Sequence, residues 1–440
     1  MTTDLVSLRR TFHAHAELAF TEVWTAATIR RELSALADLP GVQLRTGPAV
    51  LDPGAAARYP STEELDAAAQ RAIDAGIQPE LARRVAREGT AVVLDIRGDR
   101  PGPVTAFRAD IDGLPLEESD DDAHLPAREG FASIWPTMHA CGHDGHAALG
   151  LGLAAALAAD RDFPGTVRIL FQPAEEVVRG ARPMIAAGLA DDVDQLIGLH
   201  LGEGLPAGDL AAGSHGLQAT QKFEVTFRGV AAHAAGAPQE GRNALAAAAQ
   251  ATLGILAIRR DARGATTVNV GTLHAGRQSN IVPDRAELSA EVRSDSAEAC
   301  DQLMERARRV VEGAALAWEV EAEVEVTGQA TTLVCDDELV DRCLAAARQV
   351  RTEGTRYRSV PMPASDDLSL WAEAVQARGG QSTYAVVGAS SPAPHHHSLF
   401  DLDESCLPVA LAWMERIIRS GPEQPQDADA VPKPQKGAGA

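Results

Sequence analysis

The octet Lys222–Gly229, KFEVTFRG, alternates apolar and polar residues strictly, the period-two signature of a strand with one buried face. It opens a series that few folds accommodate. A helical stretch, RNALAAAAQATLGILAIRR, follows, then two more strands, TTVNVGTLHAG and AELSAEVRS. A second helix, SAEACDQLMERARRVVEGAALA, and a strand, WEVEAEVEVTG, close it. The order β-α-β-β-α-β is the ferredoxin-like α+β pattern. Residues 222–329 are therefore expected to form a domain of their own, inserted into a chain of different character.

The flanking chain has a different rhythm. TEVWTAATIRRELSAL has helical apolar spacing, and TAVVLDIRG and PVTAFRADID are short β-branched runs that read as buried strands. Further on come a long Ala/Leu helix, HAALGLGLAAALAA, the strand GTVRILFQPAEE, a helix near ARPMIAAGL and the strand QLIGLHL. Alternation of this kind predicts an α/β domain, a mixed, mostly parallel sheet with helices on both faces. Residues 1–221 and 330–420 are expected to form it. Pro53–Gly89 reads as one or two amphipathic surface helices set in as an insertion. Residues 421–440 are rich in Pro, Gly and charge and read as a disordered tail.

Composition narrows the function. The formal net charge of −22 repels phosphate backbones, so no nucleic-acid partner is expected. No run of 18 apolar residues occurs, so no membrane span is expected, and the N-terminus lacks the pattern of a secretory leader. Five scattered cysteines, Cys141, Cys300, Cys335, Cys343 and Cys406, suggest reduced thiols in a cytoplasm.

Chemistry concentrates in four places. Met138–His146, MHACGHDGH, packs Cys141, His143 and other polar groups around two glycines. On a helix Cys141 and His143 would diverge, but on a glycine-loosened loop they can converge on one ion. Taken alone, the loop also fits a nucleophilic thiol or a structural turn. FQPAEE places Glu175 and Glu176 at the C-terminal end of a strand, where open α/β sheets bind ligands; acids at a helix N-terminus are the plain alternative. IGLH ends a buried strand in His200, and PHHHSLFDLDE offers His395, His396 and His397. Each of these fits a structural or solvated histidine as well. Together the four loops supply one thiolate, one carboxylate and three imidazoles. Five such donors suit two divalent ions sharing a bridge, with the second glutamate free to act as a base.

In these segments the chain resembles the metal-dependent amidohydrolases and peptidases that include aminoacylase, hippurate hydrolase and the plant auxin-conjugate hydrolases. The matching pieces are RADIDGLPLEE, HACGHDGHAALGLGLA, GTVRILFQPAEE, IGLH, GVAAHAAGAPQEGRNAL, SNIVPDRAEL and HHHSLFDLDE, in family order over nearly the whole chain. The likeness is greatest to the A-type subunits that hydrolyse p-aminobenzoyl-glutamate, a folate breakdown product. It rests on the insertion before TAVVLDIRG and on GFAS ahead of the metal loop.

The resemblance implies Cys141 as a bridging ligand, with His143, Glu176, His200 and His396 as the other ligands of two Mn²⁺ or Zn²⁺ ions. His396 is chosen because it lies four residues before Phe400. Glu175 is implied as the catalytic base. The inserted domain is implied to be a lid and dimerisation domain, whose His233 reaches the partner subunit's site and bonds the oxyanion. Asn280 and Arg293 are implied to hold the substrate. His13, His15, Asp110, Asp112, Asp144 and His146 are expected near the site without binding metal, with Asp144 able to orient a bound imidazole. The expected reaction is hydrolysis of an N-acyl or N-aroyl amino acid, first p-aminobenzoyl-glutamate, by a cytoplasmic homodimer or a heteromer with a B-type subunit. The alternatives are a broader aminoacylase, a chain that works only with a related partner, and a cysteine hydrolase using Cys141.

Overall fold

A computed structural model describes residues 4–260 and 264–421, so the tail read as disordered lies, Gly421 apart, outside the described residues. In chain order the strands are β1 (Val42–Thr46), β2 (Val92–Arg97), β3 (Arg100–Asp110), β4 (Pro164–Gln172), β5 (Gln195–Leu201), β6 (Leu210–Ala211) and β7 (Ser214–His215). Next come β8 (Ala219–Arg228), β9 (Thr266–Ala275), β10 (Arg285–Ser294) and β11 (Glu321–Ala330). The last are β12 (Arg356–Tyr357), β13 (Val360–Pro361) and β14 (Gln381–Val387).

Eight strands form one sheet in the order β1-β2-β4-β3-β5-β14-β6-β12. Its centre, β4-β3-β5-β14, is parallel, while the β1–β2, β2–β4 and β14–β6 pairs are antiparallel. Burial follows from this position. Every residue of β5 is buried, because helices cover both faces. Along β2, Val92, Leu94 and Ile96 enter a core with Phe12, Trp24 and Trp413, whereas Val93 enters the opposite core with Met184 and Trp371. The insertion forms two helices, Thr62–Asp74 and Pro79–Glu88. Ser61 and Glu64 cap the first reciprocally, and Ala68, Ala72 and Val85 are buried against the main core.

One pairing runs against sequence order. Only Gly98 and Asp99 separate β2 from β3, yet β4 lies between them. Gly98 donates its N–H to the Gly165 carbonyl (2.8 Å), and a Cβ at position 98 would stand 2.1 Å from the Phe163 carbonyl oxygen.

The segment from β8 to β11 forms a separate antiparallel sheet in the order β11-β8-β10-β9, with helices Ala244–Leu256 and Ala297–Ala317 on one face. Phe223, Val225 and Phe227 pack with Ala247, Ala251, Leu303 and Val311, so the alternation seen in the sequence is the pleat of β8. The intervening residues, Lys222 and Glu224 among them, occupy the face without helices. No helix of the described residues is long and apolar enough to cross a membrane.

Candidate active site

The cluster assembles beyond the C-terminal ends of β3, β4, β5 and β14, where strands of an α/β sheet leave room for a ligand. The loop carrying Cys141 enters the helix His143–Ala159 through Gly142, whose φ of +85° is a left-handed conformation that suits glycine. That turn lets Cys141 and His143 face one point. Donor atoms of Cys141, His143 and His200 lie within 4.8 Å of one another, and so do those of Cys141, Glu176 and His396. Cys141 is common to both groups, and its Sγ is 3.6 Å from His200 Nε2.

Hydrogen bonds set which nitrogen of each imidazole is free. His143 donates from Nδ1 to the Asp112 carbonyl (2.9 Å), and His200 donates from Nδ1 to the Leu201 carbonyl (3.0 Å). Each Nε2 then keeps its lone pair for the centre. His143 Nε2 and Glu176 Oε1 are buried without a hydrogen-bond partner, which is rare for such atoms unless a cation completes them. Soft thiolate, imidazole and carboxylate donors fit Zn²⁺ or Mn²⁺. Burial, and then Glu176 and Glu175, push the Cys141 thiol well above its ordinary value; a divalent cation supplies the opposite charge.

The three adjacent histidines separate. His396 Nε2 lies 3.3 Å from Glu176 Oε2, and its backbone N–H donates to the Ala140 carbonyl (2.8 Å). His396 takes a φ of +62°, uncommon for a residue with a side chain. His395 instead groups with His200 and Glu203, and the exposed His397 accepts the Leu399 N–H at Nδ1.

Glu175 lines the same cleft, with Oε2 3.7 Å from His143 Nε2. Burial, reinforced by Asp366 and Glu176, raises its carboxyl well above the ordinary range. Both carboxylate oxygens of Asp112 hold this corner, accepting the backbone N–H groups of Glu175 (3.0 Å) and Glu176 (3.1 Å). His146 has no free nitrogen: Nδ1 bonds Asp110 (2.5 Å), and Nε2 accepts the Leu201 N–H (3.1 Å). Asp144 does not orient a candidate ligand imidazole. It bonds Arg9 (2.7 Å) and His13 (2.8 Å), and backbone carbonyls orient His143 and His200 instead. His15 stacks on Trp24, at the periphery.

The cleft, about 340 Å³, is closed on one side by the inserted domain, which contributes Lys222 and Arg293. Arg293 Nη2 donates to Glu291 (3.0 Å), while its Nε is buried and unpaired. His233 and Asn280 do not line it. They sit together on an exposed part of the inserted domain, joined by the Ala234 N–H bond to the Asn280 carbonyl (3.0 Å). His233 Nδ1 accepts the N–H groups of Ala235 (3.2 Å) and Gly236 (3.0 Å), which leaves Nε2 as the donor of this exposed imidazole. Sequence reasoning missed Lys222, Glu203 and Asp366 as lining residues. Lys222 stood at a polar position of an alternating strand, where a solvated lysine is ordinary.

Residues 106–420 match peptidase family M20/M25/M40. The chain belongs to this family. It is 41% identical over 428 residues to an indole-3-acetyl-aspartic acid hydrolase of Enterobacter agglomerans, covering 96% of each chain. It is 39% identical to the A-type subunit of p-aminobenzoyl-glutamate hydrolase from Escherichia coli, covering 94% of this chain and 95% of that one. The crystal structure of an aminobenzoyl-glutamate utilization protein from Klebsiella pneumoniae superposes with a TM-score of 0.81 at 37% identity, over 96% of this chain and 97% of that one. A dinuclear metal-binding M20 peptidase from Bacillus subtilis superposes at 0.65 with 28% identity, over 95% and 98%. This M20 member is a metal-dependent amidohydrolase acting on small N-acyl amino acids, and its donor clusters suit a pair of divalent ions.

Proposed function

We propose that this amidohydrolase splits p-aminobenzoyl-glutamate into p-aminobenzoate and glutamate, with related N-acyl and N-aroyl amino acids as the broader alternative. The observation that carries the reading is the pair of donor groups sharing Cys141, with Glu175 beside them and two cations across the cleft. Similarity to hydrolases of indole-3-acetyl-aspartic acid and of p-aminobenzoyl-glutamate supports an acidic leaving amino acid. Cys141, His143, Glu176, His200 and His396 would hold two ions, Mn²⁺ or Zn²⁺, and residues 1–221 with 330–420 form the catalytic domain that carries these ligands. Ions bound there would supply acidification of water and stabilisation of negative charge.

Glu175 takes the proton of the attacking water and returns it to the leaving amine. Its position against buried acids keeps it basic enough for the first step. Arg293 holds the substrate carboxylate as a fork. The inserted domain, residues 222–329, serves as lid and dimer contact, and His233 with Asn280 works across the dimer. Their absence from the lining of their own chain's cleft and the exposure of His233, whose Nδ1 is already engaged, support that arrangement. The partner is a second copy or a B-type chain, in a cytoplasm that keeps the thiols reduced.

Metal-free protein, alone and with a paralogous chain, is to be reloaded with Mn²⁺, Zn²⁺ or Co²⁺ and screened on N-acyl amino acids. Metal-dependent release of p-aminobenzoate is expected. Full activity in chelator, abolished by thiol alkylation, would instead assign a cysteine hydrolase.

A further inference from the structure

The two cations in the cleft are unequally accounted for. The catalytic side presents Glu175, Glu176, Glu203 and Asp366, and among the lining residues the only Lys and Arg are Lys222 and Arg293. Both come from the face of the inserted sheet that has no helices. Lys222 on β8 pairs with Glu291 on β10, and Arg293 pairs with Thr220, one strand pleat further on. Side chains two residues apart share a face, so the two cations stand side by side about one strand repeat apart.

Lys222 is fixed there by backbone contact. On its other flank it faces Gly328 of β11, where a Cβ would lie 2.3 Å from the Val177 carbonyl oxygen. The missing side chain lets β11 press on the loop after Glu176, and Gln329 N–H bonds the Val178 carbonyl (3.0 Å). This seats the Lys222 ammonium on the Glu176 carbonyl (3.1 Å). An ammonium has three donors. One is used in that bond, and half-buried Lys222 lines the cleft with the others. Arg293, with its buried Nε unpaired, already suffices for one carboxylate.

We propose that Lys222 receives the side-chain carboxylate of a dicarboxylic leaving amino acid while Arg293 holds its α-carboxylate, so that the cleft selects N-acyl glutamates and aspartates. The inference rests on the amidohydrolase reading above and adds the residue that discriminates among leaving groups. A neutral side chain of the same shape would forfeit the charge-assisted bond that a carboxylate makes to the ammonium.

The test compares p-aminobenzoyl-glutamate with p-aminobenzoyl-glutamine, which differ in one charge and hardly in shape. Wild type, Lys222→Met and Lys222→Arg are assayed as full-length, metal-loaded protein, with metal content measured for each. Wild type is expected to prefer the glutamate substrate in kcat/KM. Lys222→Met should lower that preference about ten- to a hundredfold, chiefly through KM, and Lys222→Arg should largely restore it. An unchanged preference in Lys222→Met overturns the inference. Equal loss on both substrates also overturns it, and assigns Lys222 to supporting the Glu176 loop. Turnover of neither substrate by wild type, under conditions where metal is bound, overturns the underlying reading and this inference with it.

Discussion

Replacing Arg9 with methionine tests how the metal loop is anchored. The guanidinium has no exposed side-chain surface and bonds three carboxylates: Asp144 (2.7 Å), Asp401 (2.6 Å) and Glu404 (3.2 Å). Arg9→Met keeps most of the stem but leaves Asp401 without its cation and the fully buried Asp144 with His13 as its only ionic partner. Breaking a buried pair from one side costs about 3–5 kcal/mol. With an unfolding entropy of about 2.1 cal/mol/K per residue, a cooperative unit of roughly 300–440 residues shifts by about 1–1.5 °C per kcal/mol, so the melting temperature should fall by roughly 3–8 °C. Arg10 is the internal control. It bonds Glu404 and the exposed Glu129 at the surface, where a pair contributes about 0–1 kcal/mol, so Arg10→Met should shift melting by no more than about 2 °C. Asp144 adjoins His143, and Asp401 follows Phe400 on the loop of His396. Arg9→Met should therefore also weaken metal binding, by about ten- to a hundredfold. Thermal melts with and without metal, and competition against a chelator, measure both effects. Equal melting shifts in the two variants would refute the argument that burial of the charges sets the cost.

Glu175→Gln should lower turnover by about 10²–10⁴ with metal retained, whereas Glu176→Gln should also release metal; elemental analysis beside kinetics separates the two. Mixing His233→Ala chains with Glu175→Gln chains tests action across the dimer. Random mixing gives about half mixed dimers, each with one intact site, so activity should return to roughly a quarter of wild type, given that one oxyanion donor is worth about 10²–10³ in rate. No recovery despite mass-spectrometric proof of mixed dimers would place His233 outside a partner's site. Burial and Arg9 pull His13 down, but its bonds to Asp144 and Glu118 outweigh them and hold it at about 9, against 6.5 unperturbed. That contribution is fully present below pH 6.5 and is lost as pH rises through about 9. Melting temperature should therefore fall across that window, and His13→Asn should flatten the fall.

Much of this arrangement was legible because it is written in local periodicity. The alternation in KFEVTFRG reports the pleat of β8, and the unbroken apolar run in QLIGLHL reports a strand covered on both faces. The convergence of Cys141, His143, Glu176 and His200 could be expected because each sits at or just beyond a strand end or a glycine turn. What stayed hidden depends on long-range contact. The clamp of Asp112 on two backbone N–H groups is a partnership 63 and 64 residues away in the chain. The left-handed backbone angle at His396, which accompanies the separation of the three adjacent histidines, is not revealed by a run of identical residues. Lys222 matters because Gly328 lets a remote loop approach, and neither residue signals this alone.

The slot that β4 occupies between β2 and β3 constrains the order of folding. Two strands two residues apart would ordinarily zip into a hairpin within microseconds. Here that hairpin would be a trap, because the closed pair would have to reopen to admit Pro164–Gln172. The close fit of Gly98 under Phe163 and Gly165 shows that the connection is shaped around the late arrival. During synthesis, the edges of β2 and β3 that receive β4 lack their native partner until more than fifty further residues have emerged. At ribosomal rates of about 5–20 residues per second that interval lasts seconds, during which Val92–Ile96 and Ala106–Ala109 are open to wrong partners. A nascent chain halted before Phe171 would present these edges to chaperones or to other chains, and refolding yield should depend steeply on protein concentration.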